Sequence, residues 1–246
     1  MIRCHDHVLE PLHPPSTVYI RTLGDFDAKK YQLRLPWIGA GVGGLQLRCG
    51  LAHLIAKRDR PVCRDVLYEL TRARNIVSGI AKMLSAWGMA DALELNRLNI
   101  VLRRHSTWTT DTDELSPTLQ LAQQLKATGD TKAYIAALTY VEELCGGRYM
   151  PNYDSIPEYN IDEEADYWQQ RQKIALRQVA LAWLELETPE LHARALSAAI
   201  RAIAHDRDNP ESYIFVAEIA RRCGNEALAR QYEREARKCG SLTSPD

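Results

Sequence analysis

Two kinds of hydrophobic spacing divide this sequence, and their order restricts the folds that it can adopt. Apolar and polar residues alternate in residues 17–37, which predicts two or three short antiparallel strands. Three segments with helical spacing and a second alternating segment follow, at residues 45–57, 62–70, 72–88 and 92–111. From about Thr109 onward the spacing is helical with short breaks. The chain is therefore predicted to be mainly α-helical, with a small β region toward its N-terminus.

Strands, three helices and a hairpin in this order are typical of a winged helix, in which a β-hairpin flanks a helix-turn-helix. We expect this domain at residues 18–108, after an extended lead-in at residues 1–17. Residues 109–240 are expected to form an α-helical domain, and residues 241–246 a tail. The last helices of the α-helical domain contain small residues, namely Ala198, Ala217, Ala220, Gly224, Ala229 and Ala236. Such residues favour close packing of the tetratricopeptide type, although a generic helical bundle fits the same pattern.

The charge is unevenly distributed along the chain, although the formal net charge is only −1. Residues 18–108 carry 15 Lys and Arg against 7 Asp and Glu, whereas residues 109–246 carry 15 against 23. Because an anionic partner is attracted to a basic surface, the basic first half indicates nucleic acid as its partner. Double-stranded DNA is the leading candidate, since a winged helix can read it.

The third helical segment carries the residues that we expect to touch DNA. One face of this helix is apolar and should pack inward, and it consists of Ile76, Ile80, Met83, Leu84 and Trp87. The opposite face is short and polar, as a helix that enters the major groove requires. The wing adds side chains suited to phosphates or to the minor groove. The candidate DNA-binding residues are Arg72, Arg74, Asn75, Ser78, Lys82, Arg97, Asn99, Arg103 and Arg104.

Several stretches of the chain, taken in order, resemble a known family. Those in the first half are VYIRTLGDFDA, RPVCRDVLYEL, ARNIVSGIAKMLSAWG and TTDTDEL. Those in the second half are LCGGRYMPNY, DYWQQRQKIALRQVALAWLEL and AAIRAIAHDRDNPESYIFVAEIARRCGNEALARQYERE. They resemble bacterial regulators that join an OmpR-type winged helix to a bacterial transcriptional activator domain, as in the Streptomyces antibiotic regulatory proteins. The resemblance covers about residues 18–240.

This resemblance implies sequence-specific DNA binding, often at tandem repeats, and recruitment of RNA polymerase. It also implies that the helical domain serves oligomerisation, partner binding or signal reception. Arg74 and Lys82 match basic positions of the family's recognition helix. Two features depart from the family pattern: Leu84 and Ser85 stand where basic residues usually continue, and the loop TRAR is shorter than the loop that can contact polymerase in relatives. A second hypothesis is therefore a protein-binding adaptor whose winged helix no longer reads DNA.

Residues 39–44, GAGVGG, match the G-x-G-x-x-G pattern of dinucleotide-binding enzymes and supply a third hypothesis. That fingerprint requires a buried parallel strand before the glycines and an acidic residue about 20 residues later, at the end of a second strand. The segment before the glycines alternates instead and contains Pro36, and Asp59 lies in a predicted turn. We expect the glycines to form a flexible entry into the first helix and expect no bound cofactor.

Two further clusters could suggest chemistry, and neither is expected to perform it. Cys4, His5, Asp6 and His7 are neighbours in sequence, and neighbours rarely converge on one metal ion. The carboxylates of residues 162–166 lie at a predicted helix start, where they complement the helix dipole and are usually solvated. No serine or cysteine lies in a recognisable nucleophile motif, so the sequence does not predict an enzyme.

The expected surroundings and partners follow from what remains. The six cysteines show no C-x-x-C spacing and are expected to be reduced thiols in a cytoplasmic protein. No apolar run predicts a signal peptide or a membrane span. The expected partners are double-stranded DNA, RNA polymerase or other proteins bound by the helical domain, and a second copy of the chain in a homodimer.

Overall fold

A computed structural model describes residues 4–5, 8–9, 17–23, 26–30, 33–35, 44–151, 162–186 and 188–242. The strands are β1 (Cys4–His5), β2 (Val8–Leu9), β3 (Val18–Arg21), β4 (Asp27–Lys30), β5 (Leu33–Arg34), β6 (Val62–Cys63), β7 (Leu93–Leu95), β8 (Asn99–Leu102) and β9 (Trp108–Thr110). The helices are α1 (Gly44–Ala56), α2 (Arg64–Thr71), α3 (Ile76–Ala86), α4 (Asp111–Thr128), α5 (Thr131–Leu144), α6 (Asp162–Glu185), α7 (Pro189–Ile203), α8 (Pro210–Arg222) and α9 (Glu226–Leu242).

The chain divides into two compact units. The first unit comprises Met1–Arg3, Glu10–Glu114 and Tyr149–Ala165. The second unit comprises Cys4–Leu9, Leu115–Arg148 and Asp166–Asp246. None of the helices in the described part of the chain is both long and apolar enough to cross a membrane.

The first unit contains two small sheets. One sheet has the strand order β5-β4-β3-β9, with β3 antiparallel to β4 as its alternating sequence predicts. Val18 and Ile20 of β3 are buried while Arg21 is exposed, so the alternation places one face of the strand in the core. The other sheet has the order β6-β8-β7, in which β7 and β8 form the predicted hairpin.

Strand β9 corrects the predicted extent of that hairpin. The alternation of residues 92–111 predicts one continuous hairpin, but the chain leaves the β7–β8 ladder after Leu102. Residues Trp108–Thr110 pair in parallel with β3 instead, with Val18 opposite Trp108 and Ile20 opposite Thr110. Sequence alternation shows that a segment is extended, whereas it does not show which strand becomes its neighbour.

Helices α1, α2 and α3 form the core of the first unit, and their order confirms the predicted three-helix segment. Leu47, Leu51 and Leu54 of α1 are fully buried. So are Leu67 of α2 and the apolar face of α3. The glycine motif lies outside the described residues except for Gly44, which is the first residue of α1.

The second unit is built from helices, apart from the short antiparallel pair β1 and β2. Helices α4 to α9 agree with the helical spacing of the sequence from about Thr109 onward. The core of this unit includes Trp183, whose indole Nε1 donates to Glu142 Oε1 at 2.9 Å. The small residues Ala195, Ala198, Ala199, Ala202, Ala217, Ala220, Ala229 and Ala236 are buried where α7, α8 and α9 pack. The predicted fold class, a mainly helical chain with a small N-terminal β region, is confirmed.

Candidate nucleic-acid interface

Helix α3 lies against α1 at a close approach that Gly50 makes possible. A Cβ atom on residue 50 would lie 3.0 Å from Ile80 Cδ1 and 3.2 Å from Ile76 Cδ1. Ile76, Ile80, Met83 and Leu84 are fully buried, and Trp87 is 1% exposed. The predicted inward face of α3 is therefore confirmed, and its packing fixes which side chains face outward.

Gly50 supplies a first prediction, because the space beside it admits only the smallest side chain. We expect Gly50→Leu to lower the free energy of unfolding by about 2–3 kcal/mol, since the added atoms force α3 away from α1. Gly50→Ala should stay within about 1 kcal/mol of the parent, because better helix propensity offsets the tight contact with two flexible isoleucine ends. Urea denaturation measures both variants. Equal stability of the Leu and Ala variants would contradict the close approach.

The outward face of α3 is polar and open to solvent. Arg74, Asn75, Ser78 and Lys82 are exposed, and so is Ser85. Within the described part of the chain, no carboxylate pairs with Arg72, Arg74, Lys82 or Arg97. These four cations are therefore available to an external anion.

The turn between α2 and α3 directs Arg72 outward through an unusual backbone conformation. Arg72 ends α2 with φ 49° and ψ 27°, in the left-handed backbone region that residues other than glycine rarely adopt. Ala73 O then accepts from Ile76 N at 3.0 Å, and Asn75 O accepts from Gly79 N at 2.8 Å as α3 begins. The short TRAR segment is thus a tight turn that places Arg72 and Arg74 beside the start of α3.

The tip of the wing is closed by a side chain. Asn96 Oδ1 accepts from the backbone amides of Leu98 and Asn99 at 3.0 and 2.6 Å, and Asn96 N donates to Asn99 O at 3.0 Å. Arg97 is exposed at this tip, and Asn99 is half-buried. Two apolar side chains are exposed beside them, Leu95 at 46% and Leu98 at 67%. The wing therefore presents one free cation together with an apolar surface.

Arg103 and Arg104, at the base of the wing, have acidic partners within the first unit. Arg103 donates to Glu94 Oε2 at 2.9 Å and to Asp59 O at 3.2 Å. This contact lowers the pKa of Glu94 and raises that of Arg103. The Nε of Arg104 lies 3.3 Å from Asp59 Oδ2, and its backbone amide donates to Asp59 Oδ1 at 3.0 Å. These two charges are partly neutralised, unlike those of α3 and its preceding turn.

Asp111 fastens the start of α4 to the sheet of the first unit. Its buried carboxylate accepts from Thr22 N, Thr22 Oγ1, Leu23 N and Thr112 N at 2.5–3.0 Å. Burial raises the pKa of Asp111 to about 6, although these donors act in the opposite direction. Arg58 forms a second contact with α4, since it donates to Asp113 Oδ1 at 2.8 Å. Together they hold the segment that follows the wing.

No family model matches the chain, and no curated protein matches it in sequence. Among solved structures the chain is similar to Mycobacterium tuberculosis EmbR in complex with a low-affinity phosphopeptide, at a TM-score of 0.66 and 14% sequence identity over 92% of this chain. The fold of this chain is therefore similar to that of EmbR over the aligned part. The chain spans 60% of the length of the EmbR chain.

EmbR is a regulator of the Streptomyces antibiotic regulatory protein type. The predicted resemblance is therefore confirmed at the level of the fold, which is distantly similar to that of these regulators. The predicted domain bounds and the nine predicted DNA-contacting residues remain predictions.

Of the two other clusters that the sequence contains, one lies only partly within the described residues. Cys4 and His5 lie in β1, while Asp6 and His7 lie outside the described residues. Among the residues described, no three His, Cys, Asp or Glu side chains form a group that could hold a metal ion. Glu164, expected to be solvated, is instead paired with Lys57 at 2.9 Å, whereas Asp162, Glu163 and Asp166 are exposed.

Sequence reasoning missed the residues that support the candidate interface from within the first unit. The sequence placed Asp59 only in a turn, yet its carboxylate accepts from Arg104 and its backbone O accepts from Arg103. Its backbone N also donates to Leu102 O at 2.9 Å. Asp111 and Gly50 were not singled out. The available signal was an acidic residue in a turn beside two arginines, together with a glycine inside a helix, where it costs about 1 kcal/mol relative to alanine.

Proposed function

We propose that this chain is a DNA-binding transcriptional regulator. The observation that carries the proposal is the exposed polar face of α3, whose Arg74 and Lys82, with Arg72 in the preceding turn, lack acidic partners in the described structure. Cations at the start and middle of a helix-turn-helix suit phosphates, and Asn75 and Ser78 between them suit base edges. The EmbR-like fold supports the same role.

In this proposal α3 enters the major groove and Arg97 reaches the backbone or the adjacent minor groove from the wing. Arg103 and Arg104 contribute less, because Glu94 and Asp59 already offset their charges. The second unit binds proteins, RNA polymerase among the candidates, through helical hairpins of the tetratricopeptide type. That the similar EmbR structure holds a phosphopeptide supports protein interaction as a function of this fold. We place the protein in the cytoplasm, where these partners are found.

Duplex binding at low salt tests the proposal directly. We expect the chain to bind a mixed-sequence duplex at about 20 mM salt and to lose affinity steeply as salt increases, because phosphate contacts release counterions. Fluorescence anisotropy of a labelled duplex measures both quantities. Selection from genomic DNA fragments at about 150 mM salt then identifies a preferred sequence. The absence of duplex binding at the lowest salt would exclude DNA binding, since even non-specific phosphate contacts act there.

One observation favours a second function, that of a protein-binding adaptor. Val66 of α2 and Leu95 and Leu98 of the wing are exposed large apolar side chains in the same unit as α3. Apolar residues exposed together mark protein interfaces more often than phosphate contacts. Leu98→Ser separates the two functions: it should leave non-specific duplex binding unchanged but weaken a protein partner of the wing.

A further inference from the structure

Helix α6 exposes a row of large apolar side chains within the second unit. Tyr167 is 55% exposed, Ile174 48% and Leu181 40%. These residues are spaced by seven, which is almost two helical turns, so they lie on one face of the helix. Single exposed apolar residues are ordinary on a protein surface, but a row with heptad spacing is the pattern of a helix that packs against another helix. We call these three residues the α6 row.

Each of the three cationic side chains of α6 contacts a residue of the second unit. Arg171 donates to Ser116, and Lys173 forms an ion pair with Asp206 at 2.9 Å. Arg177 lies over the Phe215 ring, with its guanidinium carbon 4.4 Å from the ring centroid. The charge of Lys173 is therefore neutralised within its unit, while Arg171 and Arg177 are each held by a contact with a neutral group.

A groove of about 230 Å³ opens beside Leu181, at the C-terminal part of the row. Its apolar wall consists of Leu119, Ala122, Tyr134, Leu138, Val179 and Ala182. Lys126 and Glu185, which form an ion pair, stand at its rim. An apolar cavity of about 150 Å³ holds a benzene molecule, so this groove has room for one aromatic ring, and its rim offers polar partners to a phenol hydroxyl.

Helical geometry matches this groove to Tyr167 of a second copy of the chain. Tyr167 and Leu181 each lie about 10.5 Å along the axis from Ile174, and about 20° to opposite sides of it. Gln178, Ala182 and Glu185, which border the groove, lie on the Tyr167 side of Ile174 by the same geometry. Consider a two-fold axis that passes beside Ile174 and makes the two α6 helices antiparallel. A residue above Ile174 in one copy then meets a residue below Ile174 in the other copy, and both lie on the same side of Ile174. This arrangement therefore brings Tyr167 of each copy to the groove of the other.

We propose that two copies of this chain associate through antiparallel α6 helices, with Ile174 against Ile174 and each Tyr167 ring in the other copy's groove. The contact is isologous, since the same patch serves both copies. Three apolar side chains and one groove on each side bury less than the roughly 800 Å² per partner of a standard interface, so the dimer is weak, with a Kd in the micromolar range. The inference rests on the proposed role of the second unit in protein binding, names a second copy of this chain as its partner, and involves no DNA contact.

Sedimentation equilibrium without DNA, over about 1–500 μM chain, tests the dimer. The parent should show a reversible monomer–dimer equilibrium. Ile174→Glu and Ile174→Lys should each raise the Kd at least ~30-fold, because like charges meet at the axis. An equimolar mixture of the two variants should regain the dimer, because opposite charges then meet. Ile214→Glu is the matched control, since Ile214 is 46% exposed on α8 outside the row, and it should keep the parental Kd.

A cysteine at the axis supplies a second readout. Ile174→Cys should form a disulfide-linked dimer under mild oxidation far faster than Ile214→Cys. A parent that stays monomeric at 500 μM, a dimer that tolerates Ile174→Glu, or a charged mixture no better than its components would each overturn the proposal. None of these results bears on duplex binding by the first unit, so a failed dimer and a failed DNA interface are told apart.

Discussion

Replacing Asp111 with Ala is expected to lower the free energy of unfolding by about 2–4 kcal/mol at neutral pH. The carboxylate accepts from three backbone amides and one hydroxyl, and both of its oxygens are used. Ala offers no acceptor, so the buried N–H groups of Thr22 and Leu23 and the Thr22 hydroxyl lose their partner. Urea denaturation gives the energy, and hydrogen exchange at Thr22 and Leu23 locates the loss. Asp91→Ala, at an exposed carboxylate of the same unit, is the control and should change stability by less than about 0.5 kcal/mol.

The difference in the free energy of unfolding between the parent and the Asp111 variant should depend on pH with a definite sign. Burial raises the folded-state pKa of Asp111 to about 6, above the ordinary value of 3.8. The native state therefore holds more protons than the unfolded state between about pH 4 and pH 6, and the contribution of Asp111 to stability falls as pH rises through that window. Ala does not titrate, so the stability of the parent should exceed that of the Asp111→Ala variant by more at pH 5 than at pH 7.5. A difference that shrinks on acidification would contradict this assignment.

The second large effect is expected at the DNA surface. The triple variant Arg72→Gly, Arg74→Gln, Lys82→Gln should bind duplex roughly 100-fold more weakly at about 100 mM salt. The slope of log K against log salt should become shallower by about 2–3, because each lost phosphate contact removes about 0.9. Glycine is chosen at position 72 because the residue has φ 49°, where glycine is unstrained. Anisotropy titrations at four or more salt concentrations measure both quantities.

Two controls separate local contacts from net charge. Lys132→Gln, Arg222→Gln, Arg237→Gln removes the same three charges from exposed positions of the second unit and should change the slope by less than about 0.5. Arg103→Gln, Arg104→Gln should have a smaller effect per charge than the α3 variant, because both arginines are paired with carboxylates. If the second-unit control weakened binding as much as the α3 variant, the interface would not lie on α3.

Local periodicity was sufficient to predict most of the first unit. Residues 72–88 alternate between apolar and polar faces at helical spacing, and that pattern predicted α3 and its buried side before any tertiary contact was known. The hairpin was also predictable, because Asn96 and Asn99 mark its turn. Contacts distant in sequence were not predictable: the pairing of β3 with β9 and the bonds from Asp111 to Thr22 join residues about 90 positions apart.

The candidate site was predictable in residue type but not in electrostatics. Nine polar and basic residues were selected because their positions suit a winged helix. The sequence did not reveal that Asp59, from a turn about 45 residues earlier, would neutralise Arg104. It also did not distinguish these paired arginines from the free ones at Arg72, Arg74 and Arg97. Ion pairs of this kind join residues that are distant in sequence and close only in the folded chain. The spacing of residues along the sequence therefore does not predict them.

The parallel pairing of β3 with β9 has a consequence for how the chain is made. Val18 cannot meet Trp108 until about 90 further residues have been synthesised, and closing so long a loop costs conformational entropy before any contact repays it. Helices α1 to α3 can pack earlier, because their contacts are closer in sequence. During translation the pairing of β3 with β9 therefore forms only after residues 108–110 have left the ribosome. A ribosome stalled before that point carries a three-helix core whose first strands still have an open edge.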